Sequence, residues 1–218
     1  MGAILSCAEE RERRRSLEVA IDAVRDGKLV VTPTDTLYGI GADAFNRQAV
    51  ADLLAAKRRG PDYPVPVLVG SWSTIAGLVS RQTDEMTALV KAFWPGGLSL
   101  VVEQAPSLPW DLGDSRGTVM LRMPNHPVAL QLLREVGPMA VSSANLHGQQ
   151  PPTSAQAARQ QLGDAVEVYL DAGPAQLGEA STIVDLAHGR PRVLRAGAVA
   201  TADVARVLGV AAEELERD

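Results

Sequence analysis

A chain of 218 residues, 46% apolar and 22% charged, has the size and make-up of one ordinary folded domain, which excludes global disorder. A single cysteine excludes a disulfide framework and a thiolate zinc cluster; no apolar run reaches the roughly 20 residues of a membrane-spanning helix, and the first 15 residues hold no signal-peptide core. The net charge of −5 argues against a generally basic, nucleic-acid-coating protein, and a reducing cytoplasm is the expected compartment.

Residues 8–15 carry Arg11, Arg13, Arg14 and Arg15 and read as the solvated start of a helix rather than a phosphate-binding arm. From Ser16, a candidate N-cap, the pattern is helical: Leu17, Ala20, Ile21 and Val24 share a face and Gly27 supplies the stop. Leu29–Thr32 is short, apolar and β-branched, a buried strand. A second helix carries Val50, Leu53, Leu54 and Lys57 and ends at Gly60-Pro61; Val65–Val69 is the next strand. Thr83 opens a third helix, broken at Trp94-Pro95, before strands over Leu98–Val102 and Thr118–Met123. Pro127 suits the first turn of a helix with Leu130, Leu133 and Val136, followed by a strand over Pro138–Val141 and a small helix from Ser154. Short strands at Val166–Leu170, Thr182–Leu186 and Arg192–Leu194 precede a last helix, Ala202–Leu208, and a polar end. Alternating strands and helices predict an α/β domain with a twisted mixed sheet, parallel and antiparallel. No repeat or linker divides it, so residues 1–218 read as one domain.

Several chemistries lack their residues. There is no P-loop, no dinucleotide GxGxxG and no GxSxG elbow. His126, His147 and His188 lack metal-ligand spacing and read as surface or loop residues, and Cys7 sits in what reads as a frayed terminus, a poor place for a nucleophile. What remains is a set of polar residues at strand ends. Pro33–Gly41 follows a buried strand, and is either a ligand loop or a turn whose Thr and Asp side chains satisfy local backbone. Lys57, Arg58 and Arg59 close a helix, where they either meet its dipole or clamp a polyphosphate. Ser142-Ser143-Ala144-Asn145 offers the same choice between ligand loop and polar turn. Arg122 sits within an apolar strand and demands an anion; with no acidic residue near it in sequence, a ligand carboxylate is the favoured partner.

These segments in order, PTDTLYGIGA (33–42), Lys57-x-Arg59, FWPGGLSLV (93–101), TVMLRMPNHP (118–127), Ser143-x-Asn145 within SSANLHG, STIVDL (181–186) and VLRAGAV (193–199), resemble the YrdC-like family of threonylcarbamoyl-AMP synthases. The resemblance spans about residues 17–199, leaving 1–15 and 210–218 as peripheral, and the length is similar to the family's single-domain form. It implies a mixed α/β sheet around a large, positively charged cavity. It also implies a nucleotidyltransferase converting L-threonine, bicarbonate or CO2, and ATP to L-threonylcarbamoyl-AMP, pyrophosphate and water. Other proteins then transfer the threonylcarbamoyl group to tRNA.

Carried over by position, Lys57, Arg59, Ser143 and Asn145 are the catalytic group implied by the resemblance. Thr36, Leu68, Arg122, Val141 and Ser181 match threonine contacts, Arg122 at the carboxylate. Lys57, Arg59, Tyr63, Thr118, Ser143, Asn145, Pro151 and Arg195 match ATP contacts. Mg²⁺ is expected with ATP, with few protein ligands. Tyr63, Leu68, Gly97 and His147 depart from the commoner family residues at their positions. Two other readings stand beside this one. A carbamoyl-phosphate-using domain of the hydrogenase-maturation type lacks its zinc-finger and acylphosphatase companions here. A non-catalytic double-stranded RNA or tRNA-binding module sits poorly with the acidic charge balance.

Overall fold

The computed structural model describes residues 2–60 and 62–216. In chain order come β1 (Ala3–Ser6), α1 (Glu10–Arg25), β2 (Val30–Thr32), β3 (Gly39–Asp43), α2 (Arg47–Ala56), β4 (Val67–Leu68), α3 (Asp84–Phe93), β5 (Leu98–Glu103) and β6 (Thr118–Arg122). Then follow α4 (Pro127–Val136), β7 (Met139–Ser143), α5 (Ala155–Leu162), β8 (Val168–Asp171), β9 (Thr182–Asp185), β10 (Arg192–Arg195), α6 (Thr201–Leu208) and α7 (Ala212–Glu216). The strands make one sheet in the order β1-β8-β2-β3-β7-β4-β6-β5-β9-β10. The pairs β1/β8, β8/β2, β4/β6 and β5/β9 are parallel and the others antiparallel, so the sheet is mixed, as read from the sequence.

The near-continuous apolar strands are buried on both faces. Val31, Ala140 and Tyr169 point into the larger core, while their neighbours Val30, Met139, Val141, Val168 and Leu170 point into a second core with α1 and α4. Local chemistry sets the helix ends. Thr83 Oγ1 accepts from the Met86 amide at the start of α3; Pro127 opens α4 behind a cap in which His126 Nδ1 accepts from the Val128 amide.

The structure differs from the sequence reading in identifiable places. Helix α1 begins at Glu10, and Ser16 is not its cap: it is buried, and its hydroxyl donates to the Ser6 carbonyl. The first 15 residues, expected to be peripheral, supply an edge strand, β1, and the first turns of α1; Cys7 is packed in the second core, not frayed. Burial pushes the Cys7 thiol up to about 11, which keeps it protonated. Residues 39–41, read as loop, begin strand β3. His126 is buried at the cap of α4, not on the surface. The polar end holds α7, whose Leu215 is buried, while Arg217 and Asp218 lie outside the described residues, as does Pro61 of the expected Gly60-Pro61 stop. Among the described residues no helix is long and apolar enough to cross a membrane.

Candidate active site

Helices α1 and α4 cover one end of their face of the sheet, over β8, β2 and β7, with Leu68 of β4 at the margin. Further along, the same face floors a cavity of about 260 Å³. Register explains which side chains meet there. Leu68 lies opposite Arg122 and Met139, and Ser99 opposite Ile183, so the two-residue period brings Leu68, Ser99, Met120, Arg122, Val141, Ser143 and Ile183 to one side. Val67, Leu100, Leu121, Ala140 and Val184, one residue away, go to the core behind. The 34–39 loop, Arg59, Pro151, Ser181 and Arg195 wall the cavity.

Of the residues predicted for the site, Thr36, Arg59, Leu68, Arg122, Val141, Ser143, Pro151, Ser181 and Arg195 all line this one cavity. Lys57, Tyr63, Thr118 and Asn145 stand behind or beside it. Thr118, whose hydroxyl donates to the Ser115 carbonyl, faces a smaller cleft that shares Pro64 and Met120 with the main cavity. The lining contains no Asp or Glu among the described residues and three guanidiniums, from Arg59, Arg122 and Arg195. Burial pulls all three down from the usual arginine range, yet the guanidinium stays charged, so the cavity is a hollow for anions.

The buried charge of Arg122 has a protein partner, Asp35, where a ligand carboxylate was the favoured expectation. Its Nη2 donates to Asp35 Oδ1 at 2.6 Å, Nη1 to Thr36 Oγ1 at 2.7 Å and Nε to the Gly96 carbonyl at 2.8 Å, with both charged groups buried. Three of its five N–H groups are thereby committed and two are left. Asp35 sits 87 positions from Arg122, too far along the chain for sequence to pair them. Ser99 was also missed: its hydroxyl lies 2.9 Å from that of Ser181, and the alternation of β5 around the core residues Leu98 and Leu100 is the signal that marks it.

The Lys57-x-Arg59 spacing follows from how α2 ends. The Arg58 amide donates to the Ala55 carbonyl and the Arg59 amide to the Leu54 carbonyl, the paired bonds of a Schellman stop, with Arg58 in the left-handed region at φ 53°. That reversal turns Lys57 and Arg59 to different sides. Arg59 reaches the cavity. Lys57 is 2% exposed, and its ammonium donates to the backbone carbonyls of Ser143 and Asn145, while its own carbonyl accepts from the His147 amide. It clamps the loop after β7 to the end of α2 rather than meeting the dipole of its own helix.

Burial, helped by the charge of Arg59, lowers the Lys57 ammonium to about 8. Between there and its ordinary 10.5, the unfolded chain holds a proton that the folded protein has released, so stability rises with pH in that window. Lys57→Met removes this rise, which is on the order of 3 kcal/mol. Cys7, Tyr38 and Tyr169 are pushed up and work in the opposite sense, but both proteins share them. Urea unfolding of both proteins across the window reads the difference; parallel curves would mean that folding does not lower the Lys57 ammonium.

Among the described residues two buried side-chain polar atoms have no partner: Arg59 Nε, a donor, and Asn145 Oδ1, an acceptor. The Asn145 amide nitrogen is occupied by the Leu146 and Gln149 carbonyls. Tyr63, half exposed, lies 4.4 Å over the Arg59 guanidinium and 5.5 Å from the His147 ring, so two departures from the family pattern meet each other, one of them on Arg59.

The sequence pattern of the Sua5/YciO/YrdC family, described as "Telomere recombination", matches residues 22–197. A protein of Mycobacterium tuberculosis named putative threonylcarbamoyl-AMP synthase is 62% identical over 215 residues, 99% of each chain. The threonylcarbamoyl-AMP synthase of Pyrococcus abyssi is 34% identical over 94% of this chain, which spans 61% of that longer protein. The crystal structure of P. abyssi Sua5 complexed with L-threonine superposes with a TM-score of 0.90 over 95% of this chain and 61% of that one. Escherichia coli YciO, 23% identical with a TM-score of 0.80 over 91% of this chain and 97% of its own, shares the fold. With four-fifths of its length matched by that pattern, and its motif residues gathered around one cavity, the chain belongs to the Sua5/YciO/YrdC family.

Proposed function

We propose that the protein joins L-threonine, bicarbonate or CO2, and ATP into L-threonylcarbamoyl-AMP, releasing pyrophosphate, together with water when bicarbonate supplies the carbon and a proton when CO2 does. The observation that carries this is the convergence of Arg59, Arg122 and Arg195, with the Thr36, Ser143 and Ser181 hydroxyls, on one cavity without a lining carboxylate. A carboxylate and a triphosphate can be held together in such a place. The threonine amine, once it has lost a proton, captures the one-carbon unit as a carbamate. A carbamate oxygen attacks the α-phosphorus of ATP, and the bond to pyrophosphate breaks. Positioning and charge neutralisation supply most of the acceleration.

Arg59, whose side chain lines the cavity, faces the charge that grows on the leaving pyrophosphate. Arg122 offers its two remaining N–H groups to the amino acid's carboxylate, beside Ser181, with Leu68 and Val141 packing the side chain. Ser143, Asn145 and Arg195 hold the nucleotide, with Thr118, Tyr63 and Pro151 at its margin. Lys57 acts through the carbonyls it clamps, keeping Ser143 and Asn145 in place.

Magnesium accompanies ATP. No three metal-ligating side chains cluster among the described residues, and the donor that fits is the unpartnered oxygen of Asn145, so Asn145 and Ser143 would hold a water-clad ion. When bound, it takes up charge on the phosphate oxygens. The product is a reactive mixed anhydride, so a transfer enzyme acting on tRNA must consume it, and the cytoplasm is where both are at hand.

The test is to incubate the purified protein with L-threonine, bicarbonate, ATP and Mg²⁺ and detect the adenylate by mass spectrometry. Threonine-dependent adduct and pyrophosphate are expected. An adduct formed only from carbamoyl phosphate, or RNA retention without ATP chemistry, would replace the proposal with one of its rivals.

A further inference from the structure

The two edges of the sheet are built differently. β10 carries Arg192 and Arg195 and a register break between Val193 and Arg195, devices that turn another strand away. β1, with the sequence Ala-Ile-Leu-Ser, has no charge, no proline and an unbroken register with β8. The Ala3 amide donates to the Glu167 carbonyl and the Cys7 amide to the Asp171 carbonyl. Alternate residues of a strand turn their backbone groups to opposite sides, so the Ile4 and Ser6 N–H groups and the Gly2 and Ile4 carbonyls point away from β8. They are a template for one more strand.

Helix α1 extends this edge. The Ser6 hydroxyl donates to Glu12 and the Ser16 hydroxyl to the Ser6 carbonyl, both at 2.6 Å, so the face of α1 holding Glu12 and Ser16 lies along β1. Val19 is next on that face, three residues after Ser16. Three helical residues rise about 4.5 Å, little more than one strand residue, which carries Val19 back alongside Ile4 and Leu5. Val19 is 49% exposed. Arg15 lies one turn before it and Asp22 one turn after; both are exposed, and neither is in an ion pair among the described residues.

This arrangement complements itself. About a two-fold axis at Ile4, an antiparallel copy of β1 sets Ile4 against Ile4 with two hydrogen bonds, and the Ser6 N–H against the Gly2 carbonyl on either side. The same axis lays the two α1 helices antiparallel, with Val19 near Val19 and each Arg15 towards the other copy's Asp22. An isologous contact needs this symmetry: opposite charges equally spaced about an apolar centre. We propose that β1 and the Arg15-Val19-Asp22 face of α1 form a docking surface for a second copy of this chain, joining the two sheets edge to edge. The charge run at the start of α1 thereby acquires a partner. The cavity is floored by β4, β6, β5 and β9, beyond β8, β2, β3 and β7 from this edge, so both cavities stay open. The patch is small, which places the dimer in the weak class, with a Kd on the order of 10 μM.

Sedimentation velocity from about 1 to 200 μM tests this, together with hydrogen exchange of residues 2–6. Wild type is expected to dimerise over this range, and the Ile4 and Ser6 amides to gain protection as it does. Arg15→Glu and Asp22→Arg each weaken the dimer about tenfold, since each replaces two attractions with two repulsions. The two together restore it to within about threefold. Val19→Lys weakens it as well. Ile4→Pro removes an outward N–H and abolishes the dimer; if it fails to fold, the charge reversals carry the same test. All the α1 variants change exposed side chains and unfold at the wild-type urea midpoint. A wild-type protein that stays monomeric at 200 μM overturns the proposal and leaves the edge to another occupant or to water. A dimer indifferent to Val19→Lys and to both charge reversals lies elsewhere on the surface and overturns it too.

Discussion

Arg59→Ala abolishes threonine-dependent pyrophosphate release while the protein unfolds at the wild-type denaturant midpoint. Both halves of this expectation come from one geometry. The guanidinium hangs beyond a Schellman stop, its Nε is buried without a partner, and its charge meets no carboxylate in the cavity lining. Removing it therefore breaks no internal bond of that donor and relieves an unpaired buried group, so stability holds or rises slightly. The chemistry loses one of the three guanidiniums that line the cavity. A preorganised donor aimed at developing charge is worth about 10²–10³ in rate, and a full guanidinium at a triphosphate sits at the upper end. The Lys57 ammonium cannot substitute, since two backbone carbonyls already hold it. Turnover within threefold of wild type, measured by coupled pyrophosphate detection, would remove Arg59 from the triphosphate. A large drop in the unfolding midpoint would show that Arg59 holds the fold instead.

How much of this was readable in the chain depends on the range of the interaction. Caps and stops within one turn were legible: Thr83, Pro127, Ser154 and Gly27 act where their chemistry says. Ser16 misled because a serine before an apolar face reads as a cap, whereas here it is buried and bonds β1. β1 itself has only four residues and is stabilised by its parallel partner β8, some 165 positions away, which no local pattern reveals. Gly39 and Gly41 hid β3 for a related reason. Glycines discourage a strand assignment, yet at Gly39 a Cβ would lie 2.6 Å from Val141 Cγ1, so the close approach of β3 and β7 beside the cavity requires it. The cavity's membership was legible because most of the motifs lie at or just beyond strands whose side chains converge on one face, with Arg59 added from the end of a helix. The partners of those motif residues were not. Asp35 stood inside a quoted motif without any sign that it neutralises Arg122, and Lys57 looked like a phosphate ligand until its two carbonyls appeared.

Arg122→Lys tests that hidden pairing and the substrate contact together. Lysine keeps a positive charge for Asp35, but one ammonium cannot also replace the Nε bond to Gly96 and the Nη1 bond to Thr36 in the fixed plane of a guanidinium. Each bond lost at a charged donor is worth about 1.5–3 kcal/mol, so the variant unfolds at measurably lower denaturant. Arg122→Met, which leaves Asp35 as a lone buried carboxylate, loses more, about 3–5 kcal/mol. The order wild type, Lys, Met in stability is therefore expected, and the simultaneous variant Asp35→Asn with Arg122→Met recovers part of the loss. On activity, Arg122→Lys raises KM for threonine on the order of thirtyfold, equivalent to ~2 kcal/mol, because the two uncommitted N–H groups that meet the carboxylate go with the fork. KM for ATP changes by less than threefold, since no nucleotide contact falls to Arg122. Parallel increases in both constants would mean that the variant distorts the whole cavity. An unchanged threonine constant would leave Arg122 as nothing more than the counter-ion of Asp35, and would send the amino acid's carboxylate to Arg195, the remaining guanidinium, whose Nε and Nη2 already donate to the Ser181 carbonyl.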